Sequence, residues 1–407
     1  MTEKRGGSDV ADGTETVAVK QTDGSFKLYG FKWFSSATDS DIALTLARIV
    51  DKDGNYTQGT KGISLFYVET RNKYDQLNGI QIQKLKNKLG TRQLPTAELL
   101  LDGTVAQLVS DEGRGVAAIS SMLTVTRIHN AISSAGAMRR VVHLARDYSQ
   151  KRHAFGKLIA SHPLHMQTLS RMEVETRGNL LLVLRLCHLL GIEECGDATE
   201  QDKLLLRLLT PVAKLYTAKQ AISIASEGLE SFGGQGYIED TGLPVILRDA
   251  QVLSIWEGTT NILSLDVLRS IAKTSGGSLT SFFSDIQSRL IPLVTSSDLD
   301  IRWCYEQINK ACREISSFVD LSNKHQSLMP VAARDFANSL ARTYIASLLL
   351  EHASWDKAKE LDIAVARRWC EQCLCPVAAN SVSGAYTPEG LHKDTQIVMD
   401  GYNQSKV

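Results

Sequence analysis

The residues of this chain best suited to move a proton lie in Ile255-Trp256-Glu257-Gly258-Thr259-Thr260-Asn261. A carboxylate beside an isoleucine and an indole would sit in an apolar, water-poor wall. There its charged form is disfavoured and its pKa rises toward that of a useful base. Gly258 lacks a side chain that would keep a planar ligand away from the backbone, and Thr259 and Asn261 offer hydrogen bonds to a polar cofactor. Read alone, the same run describes a glutamate on a solvated loop at least as well.

Three other segments carry ligand-binding residue types, each with an ordinary alternative. Phe232-Gly233-Gly234-Gln235-Gly236-Tyr237 follows a helical pattern, so helix termination by glycine accounts for it. No strand precedes it, which excludes a dinucleotide fingerprint. Thr2 to Asp9 supplies hydroxyls and backbone amides for ring carbonyls or phosphates, or else forms an exposed polar terminus. Arg152-His153-Ala154-Phe155-Gly156-Lys157 comes after a helix ending near Gln150; its basic residues suit a phosphate or simple solvation. Cys370, Cys373 and Cys375 cluster without a nearby histidine to complete a tetrahedral set, so no metal is expected.

The elements that must position these residues change type along the chain. Up to about residue 110, Ile42, Leu44 and Leu46 alternate with Ala43, Thr45 and Ala47 as in a half-buried strand. A run from Ile63 to Val68 follows a glycine-containing loop, as a pairing neighbour would. Further strands are predicted over Ser25–Trp33, Ile80–Lys84 and Glu98–Leu101, which together suggest a small barrel or two packed sheets. From about Val116 the period becomes helical: Ala135, Met138, Val142 and Ala145, then Leu208, Val212, Leu215 and Ile222. This predicts a bundle of four long helices between about 116 and 272, the second and third separated by Gly191 and the polar stretch Glu193–Glu200. Thr274–Ser278 reads as a linker, and more helices are expected around 299–323, 336–348 and 357–375. The predicted fold is α+β, with a β-barrel domain at 1–110, a helical bundle at 111–273 and a helical extension at 279–407.

Composition narrows the class. The 407 residues suffice for two or three domains, and 43% hydrophobic with 22% charged residues is ordinary for a globular protein. A formal net charge of zero gives no electrostatic case for nucleic acid or an anionic membrane. No run reaches the roughly 18 apolar residues of a membrane span. Seven scattered cysteines suggest reduced thiols rather than a disulfide framework. The first residues show no signal segment, and the closing Ser405-Lys406-Val407 departs from a peroxisomal ending at its last position.

Order decides between the alternatives. Thr2-Glu3 with Gly7-Ser8-Asp9, then Gly30-x-Lys32-Trp33-Phe34-Ser35, Gly90-x-Arg92, Arg127, Arg152-x-x-Phe155-Gly156, Phe232-Gly233-Gly234 and Trp256-Glu257-Gly258-Thr259 together resemble the acyl-CoA dehydrogenase family from Met1 to about Arg269. The opening motif and the Trp-Glu-Gly-Thr-x-Asn-Ile run look most like its AidB-like branch, which also carries a C-terminal helical extension. The resemblance implies FAD as cofactor, with Met1, Thr2, Ser8, Trp33 and Ser35 holding the flavin ring and the neighbouring thioester. It implies that Arg152 and Phe155 reach the diphosphate and adenine side of FAD from a neighbouring subunit of a homodimer or homotetramer. Gly233 and Gly234 fall on another cofactor segment, as does Glu230, where the family often has glutamine. Thr259 and Asn261 match FAD contacts, and Arg127, Ser8 and Gly258 line the acyl-CoA pocket.

On this reading Glu257 removes the α-proton of a medium- or long-chain fatty acyl-CoA while the β-hydride passes to the flavin, and an electron-transfer flavoprotein accepts the electrons. Two other functions compete: a flavoprotein that binds acyl-CoA or fatty acid with little turnover, and an AidB-like DNA-associated protein. The C-terminal helices show no basic run of the kind phosphate binding needs. Family members carry a helical domain ahead of the Thr-Glu motif, so a motif starting at Met1 implies a fold lacking that domain, with apolar surface left open. A targeting peptide would lie on that segment, leaving mitochondrial and cytoplasmic locations both open.

Overall fold

The computed structural model describes residues 2–402 and divides into two compact bodies, Met1–Thr126 and Arg127–Val407. The expected role of Met1 falls outside the described residues. The first body is a small barrel. Its strands are β1 (Thr2–Glu3), β2 (Val17–Lys20), β3 (Phe26–Ser35), β4 (Ile42–Val50), β5 (Ile63–Glu69), β6 (Ile80–Leu85) and β7 (Ala97–Leu108), with a single-turn helix α1 (Val10–Gly13) between the first two. The hydrogen-bonded order β3-β2-β4-β5-β7 closes on itself because β3 also pairs antiparallel with β7; β1 adds to β3 and β6 to β7. β2 runs parallel to β4, and β4 and β5 pair antiparallel as their patterns predict. Closure leaves these five strands without a free edge.

The face of β4 is the reverse of the one its large residues suggest. Thr45 and Ala47 are buried, whereas Ile42 is 52% exposed. A five-stranded barrel is too narrow for two rows of branched side chains from one strand, so the smaller set turns inward and packs with Phe26, Leu28, Phe66 and Leu101. α2 (Gly115–Ala118) then lies against β5.

The second body is helical. It comprises α3 (Ser120–Ser149, its first turns in the preceding body), α4 (Pro163–Cys195), α5 (Glu200–Glu230), α6 (Leu243–Leu253), α7 (Thr260–Lys273), α8 (Gly277–Leu290), α9 (Leu299–Lys324), α10 (Leu328–Ala353), α11 (Glu360–Cys370), α12 (Pro376–Val382) and α13 (Pro388–Met399). A two-strand hairpin, β8 (His153–Ala154) with β9 (Lys157–Leu158), joins α3 to α4. Three helices of the expected bundle are long, and two shorter ones, α6 and α7, replace the fourth. The second and third helices part at Gly196, whose φ of +82° closes α4, while Gly191 lies within the helix. α5 starts on a capping box in which Thr199 and Asp202 each satisfy the other's backbone N–H.

The predicted linker is a tight turn, with Ser275 and Gly276 at positive φ and α8 starting at Gly277. The later helices are therefore no loose appendage. Leu206 and Leu215 of α5, Leu263 and Val267 of α7, Phe282 of α8, Ile308 of α9, Phe336 and Tyr344 of α10 and Trp369 of α11 share one buried cluster. Among the described residues, no helix is long and apolar enough to cross a membrane.

Candidate functional site

In the helical body, the loop between α6 and α7 carries Glu257. Its backbone is left-handed, with φ at +58°, and Gly258 follows at +101°. Such a conformation costs a non-glycine residue of order 1–3 kcal/mol and persists only where the surroundings impose it. The imposing groups are visible. Lys214 Nζ on α5 donates to the carbonyl oxygens of Trp256 and Gly258, both at 2.7 Å. Arg127 Nε on α3 reaches the carbonyl of Glu257 itself at 3.3 Å. Three consecutive carbonyls around the carboxylate thus each meet a cationic donor.

These cations are held in turn. Arg127 Nη1 lies 2.8 Å from Asp266 Oδ2 on α7, and Arg207 Nη2 lies 2.7 Å from Asp266 Oδ1. Arg207 and Lys214 are seven residues apart on α5, two turns, so one face of that helix serves both. Burial works to raise the Asp266 pKa, but Arg207 and Arg127 outweigh it and hold the carboxyl below its ordinary range. Lys214 is fully buried, and its pKa is brought down to about 8, chiefly by desolvation, against the favourable charge of Glu257. The expected apolar wall is therefore only part of the setting: Trp256 and Glu257 are half-buried, Ile255 is exposed, and cations line the inner side of the loop.

Beyond Gly258, Thr259 is the N-cap of α7, yet its side chain makes no capping bond, and Asn261 is exposed in the first turn. A helix N-terminus with an uncommitted hydroxyl and an amide suits an anionic, hydrogen-bonding group. A second cluster lies at the end of α3. The Tyr148 ring stands 5.0 Å from that of Phe232, which links the segment entering Arg152 to the one entering Gly233 and Gly234. Gly233 and Gly234 lie exposed in a 3₁₀ turn, Glu230 is exposed at the end of α5, and Arg152 is exposed before β8. Phe155 is 96% exposed at the tip of the β8–β9 hairpin, where it and Gly156 both have positive φ, the geometry of a two-residue hairpin turn.

The barrel body holds the remaining predicted residues. Ser35, at the end of β3, is buried with its hydroxyl unpartnered. Trp33 is half-buried, with Lys86 Nζ 3.1 Å and Lys4 Nζ 5.3 Å from its ring centroid. Thr2 pairs with Phe34, and Ser8 is exposed on the loop before α1. Within the barrel body the buried, unpartnered hydroxyl of Ser35, and within the helical body the bare N-terminus of α7 and the exposed Phe155, are each of a kind that fits a polar cofactor.

Residues 1–104 match "Acyl-CoA dehydrogenase, middle domain", residues 113–272 match "Acyl-CoA dehydrogenase, C-terminal domain", and residues 278–399 match "Acyl-CoA dehydrogenase 11 C-terminal domain-like". The solved structure of Caenorhabditis elegans ACDH-11 in complex with C11-CoA superimposes with a TM-score of 0.94 at 48% identity, covering 99% of this chain and 68% of that one. The chain belongs to the acyl-CoA dehydrogenase family. The curated C. elegans relative, acyl-CoA dehydrogenase family member 11, is 48% identical over 99% of this chain and 65% of its own length. The putative acyl-CoA dehydrogenase AidB of Escherichia coli is 38% identical over 68% of this chain and 48% of its own. This chain therefore spans about half to two-thirds of the length of these relatives.

Several residues that shape the site escape a reading of the sequence. Lys214, Arg207 and Asp266 sit in helical patterns where a charge reads as a solvated face. Their one available signal is that Lys214 falls among positions that are otherwise apolar, Val212, Ala213 and Leu215.

Proposed function

We propose that this chain carries the catalytic part of an FAD-dependent acyl-CoA dehydrogenase that oxidises fatty acyl-CoA of medium or long chain. Glu257 is the base that removes the α-proton. The observation that carries this reading is the strained backbone of Glu257, held by charged donors in a loop that opens onto the bare N-terminus of α7. Strain of this kind is retained where a side chain must be aimed.

Bound FAD would supply the acceptor for the β-hydride, chemistry that belongs to the cofactor. The residues of the chain bind and orient. Thr259 and Asn261 at the start of α7 are the proposed cofactor contacts of the helical body, and Thr2, Ser8, Trp33 and Ser35 those of the barrel body. Arg127 and Gly258 border the acyl-CoA. Arg152, Phe155, Gly233 and Gly234 are proposed to meet FAD of a second subunit in a homodimer or homotetramer, supported by the full exposure of the Phe155 ring. The electron acceptor is proposed to be an electron-transfer flavoprotein. The C. elegans relative solved with C11-CoA supports a chain of that length as the first substrate to try.

Anaerobic titration of the FAD-loaded protein with C11-CoA is expected to bleach the flavin absorbance, and Glu257→Gln should retain acyl-CoA binding while losing the bleaching. A folded protein that ignores added FAD, or a Glu257→Gln variant with normal turnover, would refute the assignment.

A further inference from the structure

We infer that Lys214 is a positioning residue for Glu257, fixing the direction of the carboxylate through the two carbonyls that bracket it. The inference rests on the reading of Glu257 as the base. Its geometry is independent of that reading. One ammonium donates 2.7 Å bonds to Trp256 O and Gly258 O, the residues directly before and after Glu257. The peptide that enters the left-handed residue, 256–257, and the peptide that leaves Gly258 are thereby pinned from a single point on α5, so the loop is fixed on both sides of Glu257.

The choice of lysine is costly and so informative. The side chain is fully buried in a helix whose neighbouring positions, Val212, Ala213 and Leu215, belong to the apolar core. A buried ammonium must recover its lost hydration through hydrogen bonds. Here those bonds go to loop carbonyls rather than to a carboxylate partner. The charged groups around it are Glu257 in the loop and Arg127 on α3, the latter anchored to Asp266 on α7. An apolar residue would pack in this core at lower cost, but it would leave the loop without its central tether. Arg127, whose bond to the Glu257 carbonyl is longer at 3.3 Å, constrains only the middle of the three peptides.

The test compares Lys214→Met, Lys214→Gln and Glu257→Gln in the FAD-loaded full chain, with C11-CoA as substrate. Lys214→Met keeps the side-chain volume without a donor, and a misplaced base is expected to lower kcat about 100-fold. Because substrate contacts are untouched, KM should move by less than about threefold. Backbone hydrogen exchange over 255–259, read on the cofactor-free protein as well, should accelerate about tenfold or more while the centres of α3 and α5 stay protected. Lys214→Gln retains N–H donors and should recover roughly tenfold of the lost kcat.

A folded Lys214→Met variant with wild-type kcat and loop exchange overturns the inference. So does a Lys214→Gln variant no better than Lys214→Met in both readouts. Should Lys214→Met fail to fold, Lys214→Gln against the parent decides: a loss of roughly tenfold in kcat at constant KM is expected, and no loss overturns the inference. Normal turnover in Glu257→Gln would remove the base reading instead, while loop exchange in the Lys214 variants would still show whether this lysine holds the loop.

Discussion

Lys32 Nζ lies 2.5 Å from Glu3 Oε1, and the two side chains are 1% and 4% exposed. The pair fastens the first strand to the barrel. Glu3 also accepts from the Glu15 amide at 2.6 Å and the Thr16 hydroxyl at 2.6 Å, and Lys32 donates to Leu46 O at 3.0 Å. Burial opposes the charge on Glu3, but Lys32, Thr16 and the backbone amide outweigh it and keep its pKa below the ordinary range. Removing one partner strands the other without solvent. Lys32→Met or Glu3→Gln alone is expected to cost about 3–5 kcal/mol, and the double variant less than the sum of the two. Urea denaturation of the four proteins checks this; additive losses would mean that the pair is not coupled.

Gly30 guards the same pair from the other side. A Cβ at this position would fall 2.3 Å from Thr16 Oγ1, the hydroxyl that Glu3 accepts from. Gly30→Ala must therefore displace Thr16, at a cost of about 1–3 kcal/mol by overpacking. A lowered melting temperature is the expected result, and Gly30→Ala/Thr16→Ala should melt below Thr16→Ala, because the Cα and Cβ of residue 16 still lie 2.7 and 2.8 Å from the added methyl. An unchanged melting curve in the single variant would show that Thr16 gives way freely.

Lys32 and Gly30 also mark how far the amino-acid sequence alone is legible. Both stand in the family motif and their types are plain, but nothing local reveals that the Lys32 charge points inward at Glu3. Period-two alternation finds β4 and its partner β5, yet favours the wrong inner face, because burial in a narrow barrel depends on its closure by β3 and β7, which are distant from each other in sequence. Most helices of the second body are legible from their 3.6-residue period, but one expected long helix is split into α6 and α7, and α8, α12 and α13 match no expected helix. Glu257, Gly258 and Thr259 stand out by type. The cations that hold them come from α3 and α5, about 130 and 43 residues away, and no local pattern carries that pairing.

Glu175, in the middle of α4, is a buried acid outside the proposed site. It accepts from Tyr216 at 2.8 Å and Asn179 at 2.9 Å, and Tyr216 in turn accepts from Arg342 at 3.0 Å. Burial raises its pKa despite Arg342 and these bonds. A carboxyl whose folded pKa lies above its unfolded value contributes stability that is full below the unfolded pKa and is lost as pH rises through the folded one. Glu175→Gln keeps an acceptor for Tyr216 and removes the charge. It is expected to gain about 1 kcal/mol over the parent at pH 7 and nothing near pH 4. Equal gains at both pH values would rule out titration of Glu175 as the cause.

Lys214 gives the opposite dependence. Burial, opposed by Glu257 and assisted by Arg127, brings its folded pKa from 10.5 to about 8. Below pH 8 both folded and unfolded chains carry this proton, so the difference is constant. Between about 8 and 10.5 the unfolded chain binds the proton and the folded one does not, so the contribution of Lys214 to stability rises with pH. Lys214→Met has no such group. The stability of the parent minus that of Lys214→Met is therefore expected to be flat from pH 6.5 to 7.5, on the order of one pH unit below the transition, and to climb in favour of the parent through pH 9. Urea midpoints of both proteins across this range measure the difference, and thiols and tyrosines that titrate there cancel between them. A flat difference would place the Lys214 proton outside this window and leave the ammonium charged through pH 9.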